Sequence, residues 1–216
     1  MPGSPSTPAR RSPPRRIPVL VGTLPIEDDQ TPPPVVGALG RYPLVFAEAT
    51  DTGPDATAAT FLVHATPTGN GAPLDPGLRW DGIPDEGPPL WNIALHGDGW
   101  SASWLAPRPV TGQVELRGTL IGDLALSTRH WVHGLVTRAW VVTETFDTRS
   151  PDPQDWERVP GQQQLREITT APHRFDQSMI VRRDPTTGRL HLVPSDPYSP
   201  EVGVLIQLDL DTPSTP

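Results

Sequence analysis

The residues best suited to chemistry in this chain are histidines, acids, arginines and tryptophans. There is no cysteine, so thiolate catalysis, disulfides and Cys-ligated zinc or iron–sulfur centres are excluded. His130-Trp-Val-His133 has a spacing that places two imidazoles on one face of a helix. The segment reads instead as the start of a strand, which turns the two rings to opposite faces. We therefore expect no metal site there. His96 and Asp98 lie close together in a turn. A general base needs a cleft and a tuned pKa, so His96 is read as solvent-exposed and Asp98 as a turn residue. Glu27-Asp28-Asp29 and Asp209/Asp211 lack the ligand spacing of a calcium loop and read as surface charge. No Gly-x-Ser-x-Gly elbow, phosphate-cradling Gly-x-x-x-x-Gly-Lys or dinucleotide fingerprint occurs. We expect no cofactor and assign no catalytic residue.

Arginine with tryptophan is the sharper combination. Arg117 and Arg138 fall in runs that read as strands, with Trp131 and Trp140 close in sequence to Arg138. If Arg117 and Arg138 face outward on neighbouring strands, with Trp131 or Trp140 nearby, they would form a platform for a planar anionic ligand or single-stranded nucleic acid. The plain alternative is exterior charge paired with Glu115 and Glu144. Trp80 lies in the long irregular stretch 66–89, bearing Thr68-Gly-Asn-Gly71 and Asp75-Pro-Gly77. Long irregular loops in compact domains are often functional. Trp80, Arg117, Trp131, Arg138 and Trp140 are thus the candidate ligand-binding residues.

The elements that must position them are strands. Trp91–Leu105 reads as one hairpin around Asp98-Gly99, a pair favoured in tight turns that place both central residues at positive φ. That turn sets Gly97 opposite Trp100, Leu95 opposite Ala102, Ile93 opposite Trp104 and Trp91 opposite Ala106. Trp91, Ile93, Leu95, Trp100, Ala102 and Trp104 then share an apolar face, while Asn92, Ala94, His96, Ser101 and Ser103 share the other. Three tryptophans thereby move from candidate site to core. Ile17–Thr23, Tyr42–Ala49, Thr60–Ala65, Thr111–Leu124, Trp131–Phe146 and Val204–Leu210 also read as strands. Tyr42–Ala49 and Thr60–Ala65 are expected to pair with each other. Met179–Arg183 and Arg189–Val193 form a second hairpin around Asp184-Pro-Thr-Thr-Gly188. In Trp131–Phe146 the residues Val132, Val136, Trp140, Val142 and Phe146 share one parity. Gly118 occupies a core-facing position that permits a bend.

These runs make about ten short strands and no convincing amphipathic helix. With thirty prolines and nineteen glycines in 216 residues, the expected fold is all-β: an antiparallel barrel or sandwich, spanning residues 17–212 as one domain. Residues 1–16 are read as a disordered Arg/Pro-rich tail, because they carry four arginines and almost nothing apolar. Residues 213–216 form a C-terminal tail. All cations are arginine, as expected from a GC-rich coding sequence.

The formal charge is −8, and residues 1–16 hold four arginines and no acid, so the rest of the chain is more acidic still, near −12. Like charge repels nucleic acid and anionic membrane. No run approaches the roughly 20 apolar residues of a membrane span, and no apolar leader follows the N-terminal arginines, which leaves the cytoplasm as the expected location.

Gly112–Leu124 followed by Gly134–Val142 resembles the first two strands of an OB-type barrel, through a Gly bend and alternating valines. That resemblance covers about 35 residues and speaks to fold, not function. The leading functional expectation is a non-catalytic binding or adaptor module for a protein or small molecule, with no membrane partner. An enzyme with a site between the 66–90 loop and the sheet is an alternative. So are a carbohydrate-binding sandwich using Trp80 and an OB-like protein with weak single-strand affinity. Nucleic acid is the least expected partner.

Overall fold

In the computed structural model, the short alternating runs of the sequence become thirteen strands and one helical turn among the described residues. The structure describes residues 15–49, 53–69, 71–74, 89–122, 130–147, 156–183 and 189–211. In chain order these are β1 (Arg16–Gly22), α1 (Thr23–Glu27), β2 (Leu39–Glu48), β3 (Ala59–Pro67), β4 (Trp91–Gly97), β5 (Trp100–Ala106), β6 (Gly112–Gly122), β7 (Trp131–Thr143), β8 (Phe146–Asp147), β9 (Glu157–Arg158), β10 (Gln164–Ile168), β11 (Met179–Arg183), β12 (Leu190–Pro194) and β13 (Glu201–Asp209).

Eight strands close into a barrel rather than a sandwich. Hydrogen bonding passes from β7 to β13, β1, β6, β3, β4, β5 and β2, and back to β7. Most ladders are antiparallel. Two are parallel and very short: Leu20–Val21 against Ile121–Gly122, and Val45–Phe46 against Ser103–Trp104. β2 and β6 also pair with each other, residue 44 with 122 through 48 with 118. This cross-ladder divides the ring into two smaller circuits. Gly118 makes the approach feasible, because a Cβ there would collide with the Ala47 carbonyl oxygen and the Phe46 ring. Pro43 falls where β2 leaves β7 for β6. A residue with no N–H suits such a changeover. The next donor, Leu44 N–H, reaches the His130 carbonyl at 2.8 Å.

The core follows the alternation. Ile17, Val19 and Val21 of β1 are buried, as are Val204, Ile206 and Leu208 of β13. The 91–106 hairpin has the expected register at every position from Trp91↔Ala106 to Gly97↔Trp100. Ile93, Leu95, Trp100, Ala102 and Trp104 are buried, and Trp91 is partly so. Trp104 packs edge-on against Phe46, and Phe46 against Phe61, with centroids 5.8 and 6.1 Å apart. On the outer face Ala94 is the exception, being buried between Thr66 and Ser103 of the flanking strands. The turn departs from expectation: Gly99 alone adopts positive φ, at 82°. Asp98 instead accepts a hydrogen bond from Arg15 at 2.8 Å, and Arg15 also grips Asp211.

Other expectations need correction. Arg15 and Arg16 belong to the fold, since Arg16 opens β1 opposite Asp209; the remainder of the expected tail, 1–14, lies outside the described residues, as does 212–216. β2 and β3 do not pair with each other, for each takes a different half of β6. β6 and β7 are both long barrel strands, but β2 lies between them, so they do not form the opening hairpin of an OB-type barrel. In β7 the parity changes at a bulge near Thr137, where β13 shifts register. Val132 and Val136 face inward before it, and Ala139 and Val141 after it. Trp140 is thereby turned outward. The second hairpin, β11–β12, stands as its own two-stranded sheet, with Met179, Val181 and Leu190 exposed. α1 was not foreseen; Pro25 suits its first turn, and Ile26 is fully buried.

Removing the Trp104 indole leaves a large void between β2 and β5. Trp104→Ala should cost about 3–5 kcal/mol in urea denaturation. Leu105→Ala, on the outer face of the same strand, should cost about 1 kcal/mol or less. Equal losses would mean that Trp104 does not anchor the core.

Candidate functional site

β2 and β5 touch over two residue pairs and then separate. Past Phe46, β2 continues along β6; past Trp104, β5 continues along β4. The gap is a groove of about 470 Å³ lined by Phe46, Ala47, Glu48, Leu90, Asn92, Ser103, Trp104, Leu105 and Pro107. Its lining is mainly apolar, and Trp104, 1% exposed, borders it from the core. Glu48 closes one end. Arg108 donates two hydrogen bonds to it, at 2.8 and 3.0 Å, and sits 5.7 Å from the Trp104 ring centroid. The Glu48 hydrogen bond holds the Arg108 pKa above its usual value, against the opposing pull of burial.

Beyond Glu48 and Ala47 lies a smaller polar cavity of about 220 Å³, bordered also by Asp55, Thr57, Thr119, Glu144 and Arg158. Asp55 Oδ1 accepts from the Thr57 hydroxyl at 2.7 Å and from the Thr57 N–H at 2.8 Å. Arg158 reaches Asp55 at 2.8 Å and Glu144 at 3.3 Å. Gln163 donates to Glu144 at 2.7 Å and accepts from the Ala56 N–H at 2.6 Å. Burial alone would raise the Asp55 pKa. The bonds from Thr57 and Arg158, with the Arg158 charge, outweigh it and bring the group to about 2. A carboxylate held ionised in this way is not a proton donor at neutral pH. What the network does is pin the segment before β3 and the segment around β9 to the barrel wall.

The four candidate residues that are described do not converge on one site. Trp80 lies outside the described residues, with most of the 66–90 loop. Arg117 donates to the Gly53 carbonyl at 3.1 Å. Arg138 and Trp140 do meet on the outer face, with the guanidinium 4.6 Å from the ring centroid. Glu167 already pairs with that arginine at 3.0 Å. Trp131 stacks under Arg41 at 4.1 Å. It sits nine positions from Trp140 on the same strand, about 30 Å at strand rise. With β2 between β6 and β7, the platform splits into separate stacks. His130 contacts Ser101 Oγ at 3.0 Å and lies 6.5 Å from His96, while His133 is exposed opposite Arg41. Among the described residues no group of three or more His, Asp or Glu is arranged to hold a metal ion.

Glu48, Asp55, Arg108 and Arg158 were not picked out from sequence. Each stands beside a proline, a turn or a strand end, and the pairs form only when segments distant in sequence meet in the fold. No protein-family model, curated protein or solved structure matches this chain. Among the described residues no helix is long and apolar enough to cross a membrane.

Asp55 has a folded pKa below its unfolded value of about 3.9. Its contribution is therefore complete above pH ~4 and is lost as pH falls through about 2. Asp55→Asn should lower stability at pH 7 by about 1.5–3 kcal/mol, the worth of hydrogen bonds to a charged group. The gap between variant and wild type should narrow steadily below pH ~4. A gap unchanged down to pH 2 would show that the carboxylate charge is not what the network uses.

Proposed function

We propose that this protein is a non-catalytic binding module and that its ligand is a small, mainly apolar molecule held in the groove between β2 and β5. The observation that carries this reading is the groove itself. It is concave, mostly apolar and offers only a few polar groups, Glu48, Asn92 and Ser103, to orient what enters. Ligand sites of small molecules have that composition. The walls are preformed by strands, so little ordering would accompany binding.

Binding is favoured over catalysis because the ionisable groups nearby are committed. Glu48 accepts a two-point contact from Arg108, and Asp55 is held fully ionised. Asp55 is therefore not tuned for proton transfer near neutral pH. A small molecule is favoured over nucleic acid because the chain is acidic at −8 and Arg138 is engaged by Glu167 and Trp140. Like charge opposes the approach of phosphate.

The test uses the neutral apolar fluorophore N-phenyl-1-naphthylamine. The native protein should enhance its emission saturably at one site. Ser103→Trp fills the groove and should weaken binding at least tenfold. Leu62→Trp, at an exposed position on β3, should leave it unchanged. Equal affinity in the Ser103→Trp protein, or no saturable binding to the native fold, would refute the assignment.

A further inference from the structure

A second recess lies apart from the groove, between the start of α1, the β8–β9 pair and the segment entering β13. It has a volume of about 440 Å³ and is lined by Thr23, Phe146, Trp156, Gln177, Tyr198 and Glu201, among others. Tyr198 is the hub of three rings. Its centroid is 5.9 Å from Phe146, tilted by 46°, and 5.1 Å from Trp156, at 63°. The backbone explains the convergence. β8 pairs with β9, placing Phe146 opposite Arg158 next to Trp156, and the Phe146 N–H donates to the Tyr198 carbonyl at 2.9 Å.

These rings differ from the chain's other clustered aromatics. Phe46, Phe61, Trp100 and Trp104 are buried in the barrel core, whereas Phe146, Trp156 and Tyr198 are all partly exposed and border an open recess. Aromatic faces carry partial negative charge and attract cations, most strongly when the site is shielded from water. A carboxylate borders the same recess: Glu201, whose side chain is only 15% exposed. It is held in place by the Asp176 N–H at 3.0 Å and by Arg166 at 2.6 Å, and that arginine is itself 62% exposed. The surrounding field is acidic, given a net charge of −8. Elsewhere the chain lays its own cations on outward rings, Arg41 on Trp131 and Arg138 on Trp140.

We propose that the Phe146–Trp156–Tyr198 recess binds an organic cation of the methylated-ammonium class, with the rings holding the methyl groups and Glu201, which also pairs with Arg166, lending negative potential at the rim. This site is independent of the groove between β2 and β5, and either assignment stands without the other.

The probe is choline, compared with its neutral isostere 3,3-dimethyl-1-butanol, in which carbon replaces the charged nitrogen. Binding is read from indole and amide resonances of the full-length, isotopically labelled chain, at constant ionic strength. Choline should shift the Trp156 indole and the amides around Tyr198 saturably, and bind about tenfold tighter than the isostere. Tyr198→Leu should weaken choline by about tenfold, while Tyr198→Phe, which keeps the ring, should retain it. Glu201→Gln should reduce choline affinity without changing that of the isostere. Equal affinity for charged and neutral probes would show apolar recognition only and overturn the proposal. So would the absence of saturable shifts, or unaltered choline binding in a folded Tyr198→Leu protein.

Discussion

The structure depends on a single ladder, β2 residues 44–48 against β6 residues 118–122. A wide ring of eight strands leaves a centre that side chains must fill, and this chain draws two of its longest strands together across that ring instead. The contact is close enough that position 118 has no room for a side chain against the Ala47 carbonyl. Phe46 lies over that glycine, Trp104 packs edge-on against Phe46, and Phe61 closes the group from β3. Edge-to-face rings of this kind add stability beyond the area they bury. The same geometry creates the groove. β2 pairs with β6 along one edge and follows β5 for only two residues along the other, and the barrel wall opens where β2 and β5 part.

Local pattern carried far in the sequence, and its failures have definite causes. The 91–106 register was readable because a two-residue turn leaves one pairing that buries Ile93, Leu95 and Trp104 together. β1 and β13 were readable from alternation alone. Parity failed in β7 because a bulge near Thr137 is invisible to a period-two count, and that one residue moved Trp140 from core to surface. Pairing failed for β2 and β3 because a short connection suggests a hairpin, whereas both strands gain more contact from successive halves of β6. The two-residue parallel ladders leave no signature in sequence at all.

The site was less legible than the fold for the same reason. Arg138 with Trp140 was recoverable, being two residues apart on one strand face. Arg108 and Glu48 are sixty residues apart, and Asp55 and Arg158 are over one hundred apart. Such pairs exist only once distant segments of the chain have met in the fold. Their charges are satisfied within the protein, and beside them among the described residues lie an apolar groove and an aromatic recess. The groove is bounded mainly by β2, β4 and β5, whereas the recess is bordered largely by connecting segments, Trp156, Gln177, Tyr198 and Pro200 among them.

Native-state hydrogen exchange across a denaturant series tests the central claim most directly. If the β2–β6 ladder organises the barrel, the ladder amides of residues 44–48 and 118–122 exchange only through global unfolding, with a denaturant dependence matching that of the whole protein. The long β7–β13 ladder should then open no later than they do. Exchange of the β2–β6 amides through a smaller, sub-global opening, while β7 and β13 stay protected, would contradict the account.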